Sequence, residues 1–187
     1  VEPPRAWRVA PDAWVALVLP SPLDARVPAI GRARRIADRR AGRVAAVAAL
    51  GAARPAHGRA LISRSHSGGA GAAAVAPEGW SVGVDVIPAG RVTRRHAGAI
   101  AVEAEVAAAE AAVGAPGAAG LVWALKEAAV KAGGLRGLAA MPEWVIHRVS
   151  AGCAELTCSV SHTRALAGWV AVDGFLCAWV VRAPERS

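Results

Sequence analysis

The chain has no tyrosine and one phenylalanine, so its aromatic content is almost entirely seven tryptophans. That scarcity removes the aromatic-interleaved basic groove expected of a single-strand nucleic-acid binder, and neither zinc-finger spacing nor a glycine-flanked RNA motif is present. Lysine is nearly absent too: of 22 basic residues only Lys126 and Lys131 are not arginine. The three cysteines, Cys153, Cys158 and Cys177, are odd in number and form no C-x-x-C pair. They read as free thiols, the latter two in buried strands, rather than as a metal site or a nucleophile. No charge-free apolar run of 18 residues occurs and no signal peptide is evident, so the expectation is a cytoplasmic protein, not a membrane one.

What remains is rich in Ala, Gly, Arg and Val, the bias of a GC-rich bacterial coding sequence. At 187 residues and 55% hydrophobic, the chain can fill one large domain or two small ones. Its formal charge of +8 favours an acidic partner: a phosphorylated small molecule or an acidic protein.

Along the chain, residues 1–6 read as a loose arm, Asp12 as a turn and WVALVLP as a strand ending at Pro20. Ser21–Pro28 reads as a loop or a short helix start with Ser21 as cap and Pro22 in the first turn. Arg32–Leu50 reads as a helix with Ile36, Val44, Val47 and Leu50 on one inward face. Arg32, Arg34, Arg35, Arg39, Arg40 and Arg43 crowd the rest, diluted by a single acid, Asp38. Gly51–Arg59 is a turn region. ALISRSH, AAAVAP and WSVGVDVI are strands, with Ser65-His66-Ser67 leading into a glycine turn. Ile100–Val113 is expected to be helical with Glu103, Glu105 and Glu110 outward, and VGAPGAAG to be a loop. Leu121–Gly134 is a helix stopped by its two glycines. After the turn-rich LRGLAAMPE, the C-terminal third holds EWVIHRVS, AELTCSVSH and a hairpin turning at Asp173-Gly174. SRSHSGGAGAAAV and SVSHTRALAGWVAV echo each other, which suggests a duplicated unit of about 90 residues.

Three polar features stand out. Ser65-His66-Ser67 ends a strand at a glycine turn. Asp85 is the one acid in an apolar strand, a costly position unless paired, hydrogen-bonded or ligating a metal. Trp123, Glu127 and Lys131 recur at i, i+4 and i+8 along one helical face, with Lys126 about a hundred degrees away. Taken alone, Glu127–Lys131 is an ordinary surface pair. Taken together, Asp85 and Glu127 can share a hard cation, with lysines to neutralise phosphate charge.

V-G-V-D-V (Val82–Val86), followed about forty residues later by W-A-L-K-E-A-A-V-K (Trp123–Lys131), resembles the signature pair of the 4'-phosphopantetheinyl transferases. S-H-S-G (Ser65–Gly68) is similar to that family's third motif, and Arg32–Arg43 to its arginine-rich region. The chain's length matches the surfactin-synthetase-activating type. The resemblance implies an α+β pseudo-dimer of two similar halves, 1–95 and 96–187, each a helix on a small antiparallel sheet, with the site between them. It implies a monomer that transfers the 4'-phosphopantetheine of coenzyme A to a serine of an acyl or peptidyl carrier protein and releases 3',5'-ADP. Carriers of polyketide or nonribosomal peptide biosynthesis are the expected partners. Asp85 and Glu127 would ligate Mg²⁺; Lys131, Lys126 and Glu127 would serve the transfer. His66, assisted by Ser65 or Ser67, with Arg43 and one of Arg32 or Arg35, would hold the 3'-phosphate of coenzyme A. The family reads G-[IV]-D-[IV]-E, and here Ile87 takes the last position, so the expected metal site has one carboxylate fewer. The usual G-K-P turn before the Ser-His motif is also absent. The alternatives are a non-catalytic carrier-protein or coenzyme A-binding module of the same fold, or another phosphate-handling enzyme.

Overall fold

The computed structural model describes residues 3–10, 12–20, 32–53, 59–135 and 137–184, and of residues 32 and 33 the backbone alone. The expectations for Ser21–Pro28 and for residues 54–58 of the turn region lie outside these residues. Strands β1 (Arg5–Ala10) and β2 (Ala13–Val18) lead to helix α1 (Arg32–Ala53), then β3 (Ala60–Ser67), β4 (Ala70–Pro77) and β5 (Ser81–Pro88). Helices α2 (Arg94–Ala97), α3 (Glu103–Val113) and α4 (Ala115–Ala132) follow. A 3-10 turn at Leu138–Ala140 precedes β6 (Trp144–Ser150), β7 (Cys153–Cys158), β8 (Arg164–Val172) and β9 (Phe175–Arg182).

The architecture is α+β, with two antiparallel sheets ordered β1-β2-β4-β3 and β5-β9-β8-β7-β6. In each sheet the strand leading into a long helix, β2 or β5, pairs with the last strand of a later hairpin, β4 or β9. That hairpin's first strand, β3 or β8, lies outside it. The hairpin that matches β3–β4 in this order is β8–β9. The second copy of the sequence echo, around Ser161-His162, falls one hairpin earlier, between β7 and β8. Strand β5 lies within residues 1–95 and hydrogen-bonds along its whole length to β9.

Two elements differ from expectation for steric reasons. On α1 the large aliphatics point outward, with Ile36 59% and Val47 70% exposed, while Ala41, Gly42, Ala45 and Ala49 face the sheet. The helix lies so close to β4 that a Cβ on Gly71 would be 2.2 Å from the Ala41 carbonyl carbon. Only the small-residue face of α1 fits that approach, so Ile36, Val44 and Val47 are left exposed, while Leu50 packs partly against the core beneath the helix. On α4, helix begins at Ala115 rather than Leu121, with Pro116 in its first turn. Gly120 is retained in the helix because a Cβ there would come within 2.9 Å of the Ala89 carbonyl oxygen. The stop is as expected: Gly134 is left-handed (φ 71°) and the Leu135 N–H returns to the Val130 carbonyl. Residues 5 and 6 of the expected arm are already in β1, paired with Leu17 and Ala16. The Asp173-Gly174 turn has both residues at positive φ, 49° and 77°, the geometry of a two-residue hairpin.

A third difference reverses a side chain. Glu105 is buried rather than outward, at 4% exposure, and pairs with Lys126, at 1%. Its carboxylate also accepts the Val102 N–H (2.8 Å), where it caps α3, and the Ile146 N–H (2.7 Å) of β6. One carboxylate thus joins α3, α4 and β6, which is how helical spacing that reads as surface charge becomes core.

Candidate functional site

Strand alternation divides β3. Ser63, Ser65 and Ser67 face β5, while Ile62, Arg64 and His66, with Ser63 at its edge, line a cleft beneath α1. The Ser63 hydroxyl accepts the Val84 N–H at 3.1 Å, and the Ser65 hydroxyl donates to Asp85 Oδ1 at 2.5 Å, so β3 and β5 are joined by side chains at their edges. Asp38, the one acid of the α1 arginine cluster, is buried. Its carboxylate accepts the Gly69 N–H at 2.7 Å, fixing the glycine turn against the helix.

On β5, Gly83 and Asp85 share the face toward α4. A Cβ on Gly83 would lie 1.9 Å from the Ala128 carbonyl oxygen, so the strand and helix touch backbone to backbone. This approach brings Lys131 Nζ to 3.0 Å from Asp85 Oδ1, 3.0 Å from the Val84 carbonyl and 3.0 Å from Glu127 Oε1. Trp123 Nε1 donates to Glu127 Oε2 at 2.9 Å. The Trp123–Glu127–Lys131 stripe is therefore a hydrogen-bonded chain that ends on Asp85. Burial is the main influence on Asp85, pushing its pKa up from 3.8 to about 6, with Lys131 opposing and Glu127 adding to the rise. Burial pulls Lys131 down, but the two carboxylates outweigh it and hold its pKa above the usual lysine value.

Two cavities meet at this cluster. The larger, about 800 Å³, is lined by Arg39, Arg43, Arg64, His66, Glu127 and Lys131, with Leu135, Leu138 and Met141 on the far wall. None of the three arginines has an ion-pair partner among the described residues. The smaller, about 340 Å³, continues past Asp85 to Arg91, His96 and Trp123. His66 and Glu127 belong to the walls of both.

The residues singled out from the sequence are placed as follows. Asp85, Glu127 and Lys131 converge, and His66 and Arg43 line the same cleft. Ser65 and Ser67 line the smaller cavity, where the Ser65 hydroxyl donates to Asp85 and the Ser67 hydroxyl accepts from Arg91 Nη1 at 2.6 Å. Arg35 is exposed and lines neither cavity, and the Arg32 side chain is outside the described residues. Lys126 is not brought to the cleft: its ammonium is held by Glu105 and by the Ile100 carbonyl at 2.8 Å. Ile87 is buried on the Asp85 face of β5 and lines the smaller cavity.

Sequence reasoning gave Arg39 no role of its own, although its i,i+4 spacing from Arg43 points to it. It missed Arg64, whose same-face parity with His66 was the available signal. It also missed Arg91 and His96, which nothing but the chain path after β5 brings to the site. No group of three or more His, Cys, Asp or Glu converges among the described residues. No single helix among them is long and apolar enough to cross a membrane. Cys158 and Cys177 are buried free thiols and Cys153 is exposed. No protein-family model matches the chain, and no curated protein matches it.

Proposed function

We propose that the chain transfers 4'-phosphopantetheine from coenzyme A to the serine of an acyl or peptidyl carrier protein. The observation that carries this reading is the meeting of Asp85, Glu127 and Lys131 at one edge of a cleft lined by Arg39, Arg43, Arg64 and His66. An arginine- and histidine-lined cleft of about 800 Å³ suits a polyphosphorylated ligand of nucleotide size. On this reading Arg43, Arg39 and His66 take the 3'-phosphate, and the two halves of the fold are the halves of a pseudo-dimer with the cleft between them. The outward face of α1, where Ile36 and Val47 lie beside Arg40, and the net charge of +8 suit an acidic carrier protein.

Mg²⁺ is implied by the resemblance, and the donor set fits it. Asp85 and Glu127 are hard oxygen ligands that converge on one cation, the Lys131 ammonium, 3.0 Å from each. Mg²⁺ commonly takes one or two carboxylates and leaves its other positions to water and phosphates. When bound, it would neutralise the pyrophosphate. Glu127, shared by both cavities, takes the proton of the carrier serine. The serine oxygen then bonds to the phosphorus that bears pantetheine, the bond from that phosphorus to the bridging oxygen breaks, and 3',5'-ADP leaves. Lys131 neutralises the charge that builds on the phosphoryl oxygens.

The second reading, a non-catalytic coenzyme A- or carrier-binding module, is favoured by one observation. The Lys131 ammonium already bridges the two carboxylates, and Ile87 supplies no third. Incubating apo-carrier protein with coenzyme A and Mg²⁺ separates the two. A gain of one phosphopantetheine by mass, lost in Asp85→Ala and Glu127→Ala, supports transfer. Binding of coenzyme A with no mass gain across acyl and peptidyl carriers supports the module.

A further inference from the structure

Lys131 is the only lysine at the cleft, since Lys126, the other lysine of the chain, is sealed in the core. An ammonium group has three N–H donors and no acceptor. Lys131 directs one to Asp85 Oδ1, one to the Val84 carbonyl and one to Glu127 Oε1, each at 3.0 Å. All three donors are spent, so in this arrangement none is left for a phosphate in the cleft. Lys131 can meet a phosphate only by letting go of at least one of these partners.

Two of the three can be given up without loosening the site. Asp85 is held by the Ser65 hydroxyl at 2.5 Å and Glu127 by the Trp123 N–H at 2.9 Å, so both carboxylates keep an anchor when the ammonium leaves. The Lys131 side chain is 26% exposed and lines the larger cavity, so its ammonium can swing into the cleft without opening the core. The Lys126–Glu105 pair is the contrast: at 1% and 4% exposure it has no such space beside it.

Charge decides what makes the lysine leave. Asp85 and Glu127 are the acids that line the two cavities, against Arg39, Arg43, Arg64, Arg91 and Lys131. With Lys131 in place the two carboxylates retain one net negative charge, and the surrounding arginines oppose a bare divalent cation. A displaced ammonium would face those same arginines. A diphosphate in the cleft removes both obstacles: it neutralises the arginines and offers acceptors to Lys131.

We propose that Lys131 is an exchangeable internal cation: it yields Asp85 and Glu127 to Mg²⁺ when a diphosphate enters the cleft, and donates to the diphosphate instead. Metal and diphosphate therefore bind as a linked pair, each strengthening the other by the same factor. The inference rests on the reading of Asp85 and Glu127 as Mg²⁺ ligands; transfer to a carrier protein is not required.

Calorimetric titration of the whole chain with Mg²⁺, with inorganic pyrophosphate as the diphosphate, tests it. Lys131→Met removes the competing charge and should tighten binding of Mg²⁺ alone by about tenfold. In the parent, pyrophosphate should tighten Mg²⁺ binding by about tenfold or more, after correction for their complex in solution, and in Lys131→Met by much less. Lysine labelled with ¹³C at Cε gives two NMR signals, and the one lost in Lys131→Met or Lys131→Arg is Lys131. That signal should move when Mg²⁺ and pyrophosphate are present together, while that of Lys126 stays in place. The parent chain supplies this readout should Lys131→Met not fold. Mg²⁺ binding of equal strength in parent and variant overturns the exchange and leaves the metal ligands standing. So does a Lys131 signal that stays still while calorimetry shows metal and pyrophosphate bound. Absence of Mg²⁺ binding to both chains, with and without pyrophosphate, overturns the metal reading and the exchange with it.

Discussion

Replacing Lys126 with methionine tests whether this lysine is structural or serves the reaction, the one point on which helical spacing and the fold diverge most. The side chain is 1% exposed, and its ammonium is held by Glu105 and the Ile100 carbonyl. Methionine keeps the volume and removes the charge. Breaking a buried ion pair at one partner costs about 3–5 kcal/mol, because the other charge stays behind unpaired. Glu105 keeps two backbone donors, the Val102 and Ile146 N–H groups, so the lower end applies, about 3 kcal/mol. With an unfolding entropy of about 2.1 cal/mol/K per residue, a chain of 187 residues loses about 8 °C in Tm. Adding Glu105→Gln neutralises the orphan while retaining an acceptor. The double variant should recover at least half of the loss, a coupling of about 1.5 kcal/mol or more. Circular dichroism melts of the four members of the cycle measure this, with carrier labelling run on the same samples below their melting points. The reasoning is refuted if Lys126→Met melts within about 2 °C of the parent and yet abolishes labelling. That result would place Lys126 at the phosphates.

The other predictions concern the cleft. Asp85 titrates near 6 in the folded protein against 3.8 unfolded, so between these values the folded state binds more protons and stability falls as pH rises, then levels above about 6. Thermal melts from pH 4 to 7 should show that slope in the parent and a flatter profile in Asp85→Asn, and Mg²⁺ affinity should fall below about pH 6 as the carboxylate protonates. Gly83→Ala puts a methyl 1.9 Å from the Ala128 carbonyl oxygen, where backbone stands against backbone. It should cost at least about 3 kcal/mol, read as a Tm loss of roughly 8 °C, and weaken Mg²⁺ binding by parting Asp85 from α4. Ile87→Glu adds a carboxylate on the Asp85 face of β5 and should tighten Mg²⁺ binding in a metal titration. An unchanged titration would mean that position 87 does not reach the cation.

Much of this protein is set by local sequence. A glycine pair ends α4, Asp173-Gly174 turns the β8–β9 hairpin, and i,i+4 spacing alone aligns Trp123, Glu127 and Lys131. These are interactions between near neighbours, and the chain encodes them directly. What only the tertiary structure decides is which face of each element is buried. Alanine and glycine let α1 and α4 approach the sheets more closely than any larger side chain would. The inward face of α1 is therefore its small one, and Ile36 and Val47 stay in solvent. The same close packing turns Glu105 inward and commits Lys126 to it, while Lys131, little more than a turn further along the helix, reaches Asp85 on a strand nearly fifty residues away in sequence. Hydrophobic periodicity ranks residues by what they would gain from burial. Backbone separation determines which of them can be buried at all.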